Sequence, residues 1–241
     1  MTVELISVGT EILMGNIVNS NTQFLAEKCA MLGFDLFFQV TVGVNYDRMM
    51  SVVRQGLSRS DILILTGGLG PTEDDLTKEV CADAFGVPLE EDAHTREHLT
   101  EFFRNNIYRH IPENNWKMAT VPRGAVVLDN ANGMAPGLIL EKDGKTVILL
   151  PGPPNELYPM FNGQVFPYLQ QKQNAVLVSS MVKICGYGER DVYKRQMIYT
   201  PVGPVLTREM LFGQGKGMNR KVPCFGACPG AVAAEYKNTI I

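Results

Sequence analysis

The sequence predicts an α/β domain with a mostly parallel sheet over about its first two-thirds, on three observations. Strand-like and helix-like segments alternate, the strand-like runs are short and apolar, and a glycine-rich turn ends the third strand and opens a helix. Short strands without polar alternation suit a sheet covered on both faces. Glycine turns at the carboxyl ends of such strands are where open α/β sheets take ligands.

The elements follow in order. Val3 to Val8 is an apolar run ending at Gly9, and Asn19 to Leu32 carries Phe24, Leu25, Cys29 and Leu32 at helical spacing before Gly33 stops it. Phe34 to Val44 reads as a second strand, Asp47 to Leu57 as a helix through Met49, Met50, Val53 and Leu57, and Ile62 to Leu65 as a third strand. A helix through Val80, Cys81, Ala84 and Phe85 ends at Gly86, Glu90 to Asn106 reads as a polar helix, and Ile111 to Val121 as a loop. Gly137 to Leu140 and Thr146 to Leu150 flank Asp143-Gly144, a hairpin signal, and a helix through Leu157, Met160 and Phe161 follows. Val176 to Cys185 reads as one more strand, and beyond Arg190 no periodicity is evident.

Composition narrows the class. The chain has 241 residues, 45% hydrophobic and 20% charged, which excludes collagen-like, coiled-coil and disordered classes. A net charge of −3 provides no positive field for a nucleic-acid backbone, so none is expected as a partner. No apolar run has the length of a membrane span and Met1-Thr2-Val3-Glu4 lacks a secretory positive region, so a cytoplasmic protein without a membrane partner is expected. Five scattered cysteines argue against a disulfide framework.

Three loops at strand ends carry the candidate chemistry. In the segment from Thr66 to Thr77, Gly67, Gly68 and Gly70 flank Leu69, and their N–H groups with the following helix start form a nest for an anion. The spacing is neither the dinucleotide fingerprint nor the P-loop. Beside it stands Glu73-Asp74-Asp75, which repels a phosphate unless a divalent cation bridges the two. Capping by Thr72 or Asp74, with acids favoured at the positive helix end, accounts for part of that run, and Asp75 is more than a cap requires.

The loop after the first strand runs from Gly9 to Asn21 and presents Thr10, Glu11, Asn19 and Asn21; Asn19 or Ser20 also suits a helix cap. The third loop holds Gly152, Pro153, Asn155 and Glu156, read either as ligand contacts or as a stiff strand-to-helix turn. His94-Thr95-Arg96-Glu97-His98 matches a helical zinc signature, but five residues in a charge-rich helix suit a solvated face better. Cys224 and Cys228 lack a second ligand pair.

Taken together, the Val8 to Asn21 segment, TGGLGPTEDDLT at 66–77, Gly133-Met134-Ala135-Pro136-Gly137 and Pro151 to Glu156 resemble the CinA family of competence/damage-inducible proteins. The resemblance runs from about Met1 to Glu189. It implies a three-layer αβα domain, similar to the molybdopterin-binding domain of MoaB and MogA, over residues 1–170. A small KH-like α+β region is implied for 171–241, incomplete and atypical from about 191. It also implies metal-dependent ADP-ribose pyrophosphatase activity and a homo-oligomer. On that resemblance Asp75 and Asp74 are the catalytic pair, Asp74, Asp75 and Glu11 hold Mg, Mn or Co, and the remaining loop residues contact an ADP-ribose-like nucleotide or a pterin. Asp74 stands where the adenylyltransferases carry arginine, which argues against molybdopterin adenylylation. Nothing resembles the family's nicotinamide-nucleotide deamidase domain, so that amidase activity is not expected. A non-catalytic binding module is the alternative.

Overall fold

In a computed structural model of the chain, residues 1–105, 111–172, 199–200 and 203–204 are described. The first strand, β1 (Thr2–Val8), lies inside a sheet with β2 (Asp35–Val42) on one side and β3 (Ile62–Thr66) on the other, both parallel to it. β6 (Val126–Leu128), β7 (Gly137–Lys142) and β8 (Lys145–Leu150) complete the order β2-β1-β3-β8-β7-β6; β8 is parallel to β3, and the last two pairings are antiparallel. A second small sheet pairs β4 (Leu89–Glu91) with β5 (Thr120–Pro122).

Side-chain alternation along the strands builds two cores. Val3, Leu5, Ile62, Ile64, Ile148 and Leu150 pack with Leu25 and Cys29 of α2 (Ser20–Met31), Leu157 of α6 (Pro154–Met160) and Leu169 of α7 (Phe166–Lys172). Ile6, Val8, Leu63, Leu65, Val147 and Leu149 pack with Met49 and Val53 of α3 (Tyr46–Arg59) and Val80 and Cys81 of α4 (Thr77–Phe85). Helices on both faces make three αβα layers, as the apolar strands require.

Glu4 is the buried charge inside β1: Arg59 donates to both of its carboxylate oxygens, at 2.6 and 2.9 Å, with Ser60 adding a third bond. The hairpin at Asp143-Gly144 has the predicted two-residue form, with φ of 51° and 76°.

Several boundaries differ from expectation. Leu89–Glu91 is a strand, and the helix after it, α5 (Ala93–Asn105), begins where Asp92 accepts from the Thr95 backbone N–H at 2.7 Å. Most of the supposed loop at 111–121 is a 3-10 helix, Glu113–Ala119, running into β5. Thr10–Leu13 forms a one-turn helix, α1, inside the first loop. Strands of three residues are too short to display a period of two, which is why β4, β5 and β6 leave no signal.

Two units are distinguished, Met1–Ser180 and Met181–Ile241. In the second, Tyr199–Thr200 pairs antiparallel with Gly203–Pro204. The expected strand at Val176 to Cys185 lies outside the described residues.

Candidate functional site

The chain leaves β1 towards α2 on one face and leaves β3 towards α4 on the other, so the sheet order reverses between these two strands. A crevice opens at such a point. Register places the three strand ends side by side: Ser7 is opposite Thr66, Thr66 is opposite Leu150, and the Gly67 N–H donates to the Leu150 carbonyl at 2.9 Å. The three loops therefore meet at one edge, around a cleft of about 510 Å³.

The glycine loop forms its floor. Gly67 and Gly68 have φ of 93° and 69°, a region that strains other residues. A Cβ on Gly67 would lie 2.4 Å from the Val8 carbonyl oxygen. Thr77, buried at the start of α4, ties the loop down: its hydroxyl donates to the Gly67 carbonyl at 2.8 Å and its N–H to the Gly68 carbonyl at 3.1 Å. With the carbonyls drawn back, the N–H groups of Gly68, Leu69 and Gly70 have no hydrogen-bond acceptor among the described residues. That is the donor set an anion needs.

Asp75 lines this cleft and Asp74 does not. The Asp75 Oδ2 accepts from the Thr72 N–H at 3.0 Å and from its hydroxyl, which turns the carboxylate back against Gly70. The helix itself starts at Thr77 with Leu76 at its N-cap, so neither Thr72 nor Asp74 caps it; its first-turn acid is Glu79. Glu11 lines the cleft from α1, lying against Gly9. Glu156 lines it from the first turn of α6, where Asn130 Nδ2 donates to its Oε2 at 2.7 Å.

Asn19 and Asn21 both reach the cleft. Asn19 caps α2, its Oδ1 accepting from the Thr22 N–H at 3.2 Å, while its Nδ2 donates to Ser7 at 2.8 Å. Asn21 Nδ2 donates to the Gly152 carbonyl at 2.6 Å, joining the first loop to the third. Two atoms in this wall are buried without a partner among the described residues: Asn21 Oδ1 and Thr66 Oγ1. Unpaired buried polar atoms are costly, and an ordered water, an ion or a functional role is the usual reason for them.

Gly152 and Pro153 line the cleft; Asn155 is exposed outside it, its carbonyl accepting from Asn132. Thr10 is also outside, its hydroxyl accepting from the Val44 N–H at 3.4 Å. Residues not anticipated include Ile17, Val18, Met118, Met134 and Ala135, which give the cleft apolar walls. Ile17 and Val18 belong to the first loop, and Met134 and Ala135 to the Gly133 to Gly137 segment. Met118 had no local signal, because its position depends on the 3-10 helix.

Among the described residues, Asp75, Glu11 and Glu156 are the charged side chains of the lining, and it holds no Lys, Arg or His. Among the described residues no three His, Cys, Asp or Glu side chains cluster as a closed metal site. This donor set fits a hard cation that takes one or two carboxylates and completes its shell with water and ligand phosphate oxygens, and it does not fit a caged structural ion. His94 is exposed and bonded to Asp129 at 2.7 Å, a surface role. Among the described residues no helix is long and apolar enough to cross a membrane.

Fold and cleft together define an α/β ligand-binding domain of the molybdopterin-binding class, and residues 4–171 match the family described as "Probable molybdopterin binding domain". The chain is 49% identical over 192 residues to a protein of Clostridium beijerinckii that carries the competence-damage inducible name, covering 80% of this chain and 47% of that one. A namesake from Clostridioides difficile is 50% identical over 192 residues, with 80% and 46% covered. The solved structure of CinA from Thermoplasma acidophilum, described as having unknown function, is 32% identical with a TM-score of 0.64, covering 68% of this chain and 97% of that one. The chain belongs to the CinA family. It spans about half the length of the curated relatives it matches.

Proposed function

We propose that the cleft binds a nucleotide diphosphate of the ADP-ribose class and hydrolyses it with the help of a divalent cation, Mg, Mn or Co. The observation that carries this reading is the juxtaposition, among the described residues, of unpaired N–H groups of the glycine loop with carboxylates in a lining that holds no cationic side chain. A diphosphate alone would be repelled by Asp75, Glu11 and Glu156; a diphosphate with its cation would not.

In this reading the N–H groups of Gly68, Leu69 and Gly70 donate to phosphate oxygens, and Asp75 with Glu11 holds the cation. The cation, when bound, supplies positive charge to the phosphates and acidity to water. Thr66 and Asn21 offer polar atoms to the ligand, and the apolar walls take its flat ring. Hydrolysis adds a water oxygen to one phosphorus and breaks that phosphorus's bond to the bridging oxygen, giving AMP and ribose phosphate. Asp74, exposed outside the cleft, is at most a peripheral contributor of charge.

Binding without turnover, of a nucleotide or a pterin, is favoured by the unpaired Asn21 and Thr66 atoms, which need a ligand but no reaction. Incubation of the purified chain with ADP-ribose and each metal, followed by AMP detection, separates the two. Metal-dependent AMP that disappears in Asp75→Asn supports hydrolysis. Thermal stabilisation by ADP-ribose without product supports binding alone, and neither effect removes both readings.

A further inference from the structure

Lys117 grips the Asp75 loop with its side chain and is anchored through its main chain. Its Nζ donates to the Thr72 carbonyl at 2.7 Å and to the Asp75 carbonyl at 2.6 Å, the two ends of the turn in which Asp75 Oδ2 accepts from Thr72. The same ammonium lies 3.7 Å from Glu79 Oε1, whose other oxygen is buried without a partner among the described residues. The Lys117 carbonyl accepts from the Thr120 hydroxyl at 2.8 Å and from the Lys78 ammonium, itself buried. Lys117 does not line the cleft, but the next residue, Met118, does. The same 3-10 helix therefore supplies a wall of the cleft through Met118 and a contact to the Asp75 turn through Lys117.

We propose that Lys117 is a positioning residue that sets the cleft's affinity for its divalent cation by holding the Thr72–Asp75 turn closed. The inference rests on the proposed cation site. The turn has its own closing bond, the Asp75 N–H to the Thr72 carbonyl at 3.2 Å, and the Lys117 ammonium adds a charged donor to both of its end carbonyls, which bonds about twice as strongly as a neutral one. Removing it releases the turn and lets the Asp75 carboxylate move off Gly70.

The test uses the full chain and Mn2+ alone, with bound metal counted by electron paramagnetic resonance, in wild type, Asp75→Asn, Lys117→Met and Lys117→Arg. Amide hydrogen exchange over residues 70–76 is followed alongside. The expected result is a loss of about tenfold or more in Mn2+ affinity in Lys117→Met, the range for residues that orient metal ligands. Faster exchange in the loop should accompany it, with partial recovery in Lys117→Arg. Wild-type affinity and exchange in Lys117→Met, with affinity lost in Asp75→Asn, overturns the role of Lys117 and leaves the cation site standing. Absence of Mn2+ binding in wild type overturns both. Should Lys117→Met fail to fold, Lys117→Gln, which replaces the charged donor by a shorter neutral amide, is read the same way.

Discussion

The Glu156 carboxylate lies directly on Gly133: a Cβ built there would sit 2.3 Å from Oε2 and 2.4 Å from Cδ. Gly9 with Glu11 and Gly70 with Asp75 repeat the relationship, at 2.6 and 2.7 Å. Each carboxylate of the cleft thus rests in space that a glycine leaves open.

Gly133→Ala should displace Glu156 and break its bond to Asn130. Overpacking of this kind costs about 1–3 kcal/mol. The denaturation midpoint should fall accordingly, while Gly163→Ala, with no neighbour within 4 Å of the new Cβ, should stay within about 0.5 kcal/mol of wild type.

Gly68→Ala meets two obstacles, a φ of 69° and a Thr77 hydroxyl 2.2 Å from the new Cβ. The left-handed conformation alone costs about 1–2 kcal/mol. Nucleotide binding, measured by calorimetry, should be lost even where circular dichroism shows the fold intact.

Thr66→Val should separate stability from binding. The Thr66 hydroxyl is buried without a partner among the described residues, so an apolar replacement of the same shape is expected to leave stability unchanged or raise it by about 1 kcal/mol. Affinity for ADP-ribose should fall severalfold. A destabilised variant with unaltered affinity would show that the hydroxyl serves the fold and not a ligand.

Burial pushes the Lys78 ammonium down to about 8 from an ordinary 10.5, with Glu79 opposing the shift. Between these values the unfolded chain binds more protons, so Lys78 makes stability rise as pH increases from about 8 to 10.5. Burial pushes the Cys29 thiol up to about 12 and so acts in the opposite sense above pH 9, where the unfolded thiol ionises first. Denaturation of wild type and Lys78→Met across this window isolates the lysine: the stability of wild type relative to the variant should increase with pH. A constant difference would show that Lys78 keeps its ordinary proton affinity in the fold.

Most of the framework was legible in the sequence because its signals are local. Apolar β1, β3 and β8 and the turn at Asp143-Gly144 announce themselves within a few residues, and glycines at 67, 68 and 70 mark the cleft floor. Burial of Glu4 was not legible, since it depends on Arg59 arriving 55 residues later. The same holds for Lys117, whose hold on Thr72 and Asp75 spans more than 40 positions and leaves no periodic trace. Asp74 and Asp75 are neighbours in the sequence, and the turn that folds Asp75 onto Gly70 is what places Asp75 and not Asp74 in the cleft.

Entry of a phosphate into this cleft together with a cation held by Asp75 is the proposal on which the others depend. Calorimetric titration of ADP-ribose into the chain, with Mn2+ and again with chelator, addresses it most directly. Binding should be at least tenfold tighter with the metal in wild type, with no such gain in Asp75→Asn. Equal affinity with and without metal in wild type would contradict it.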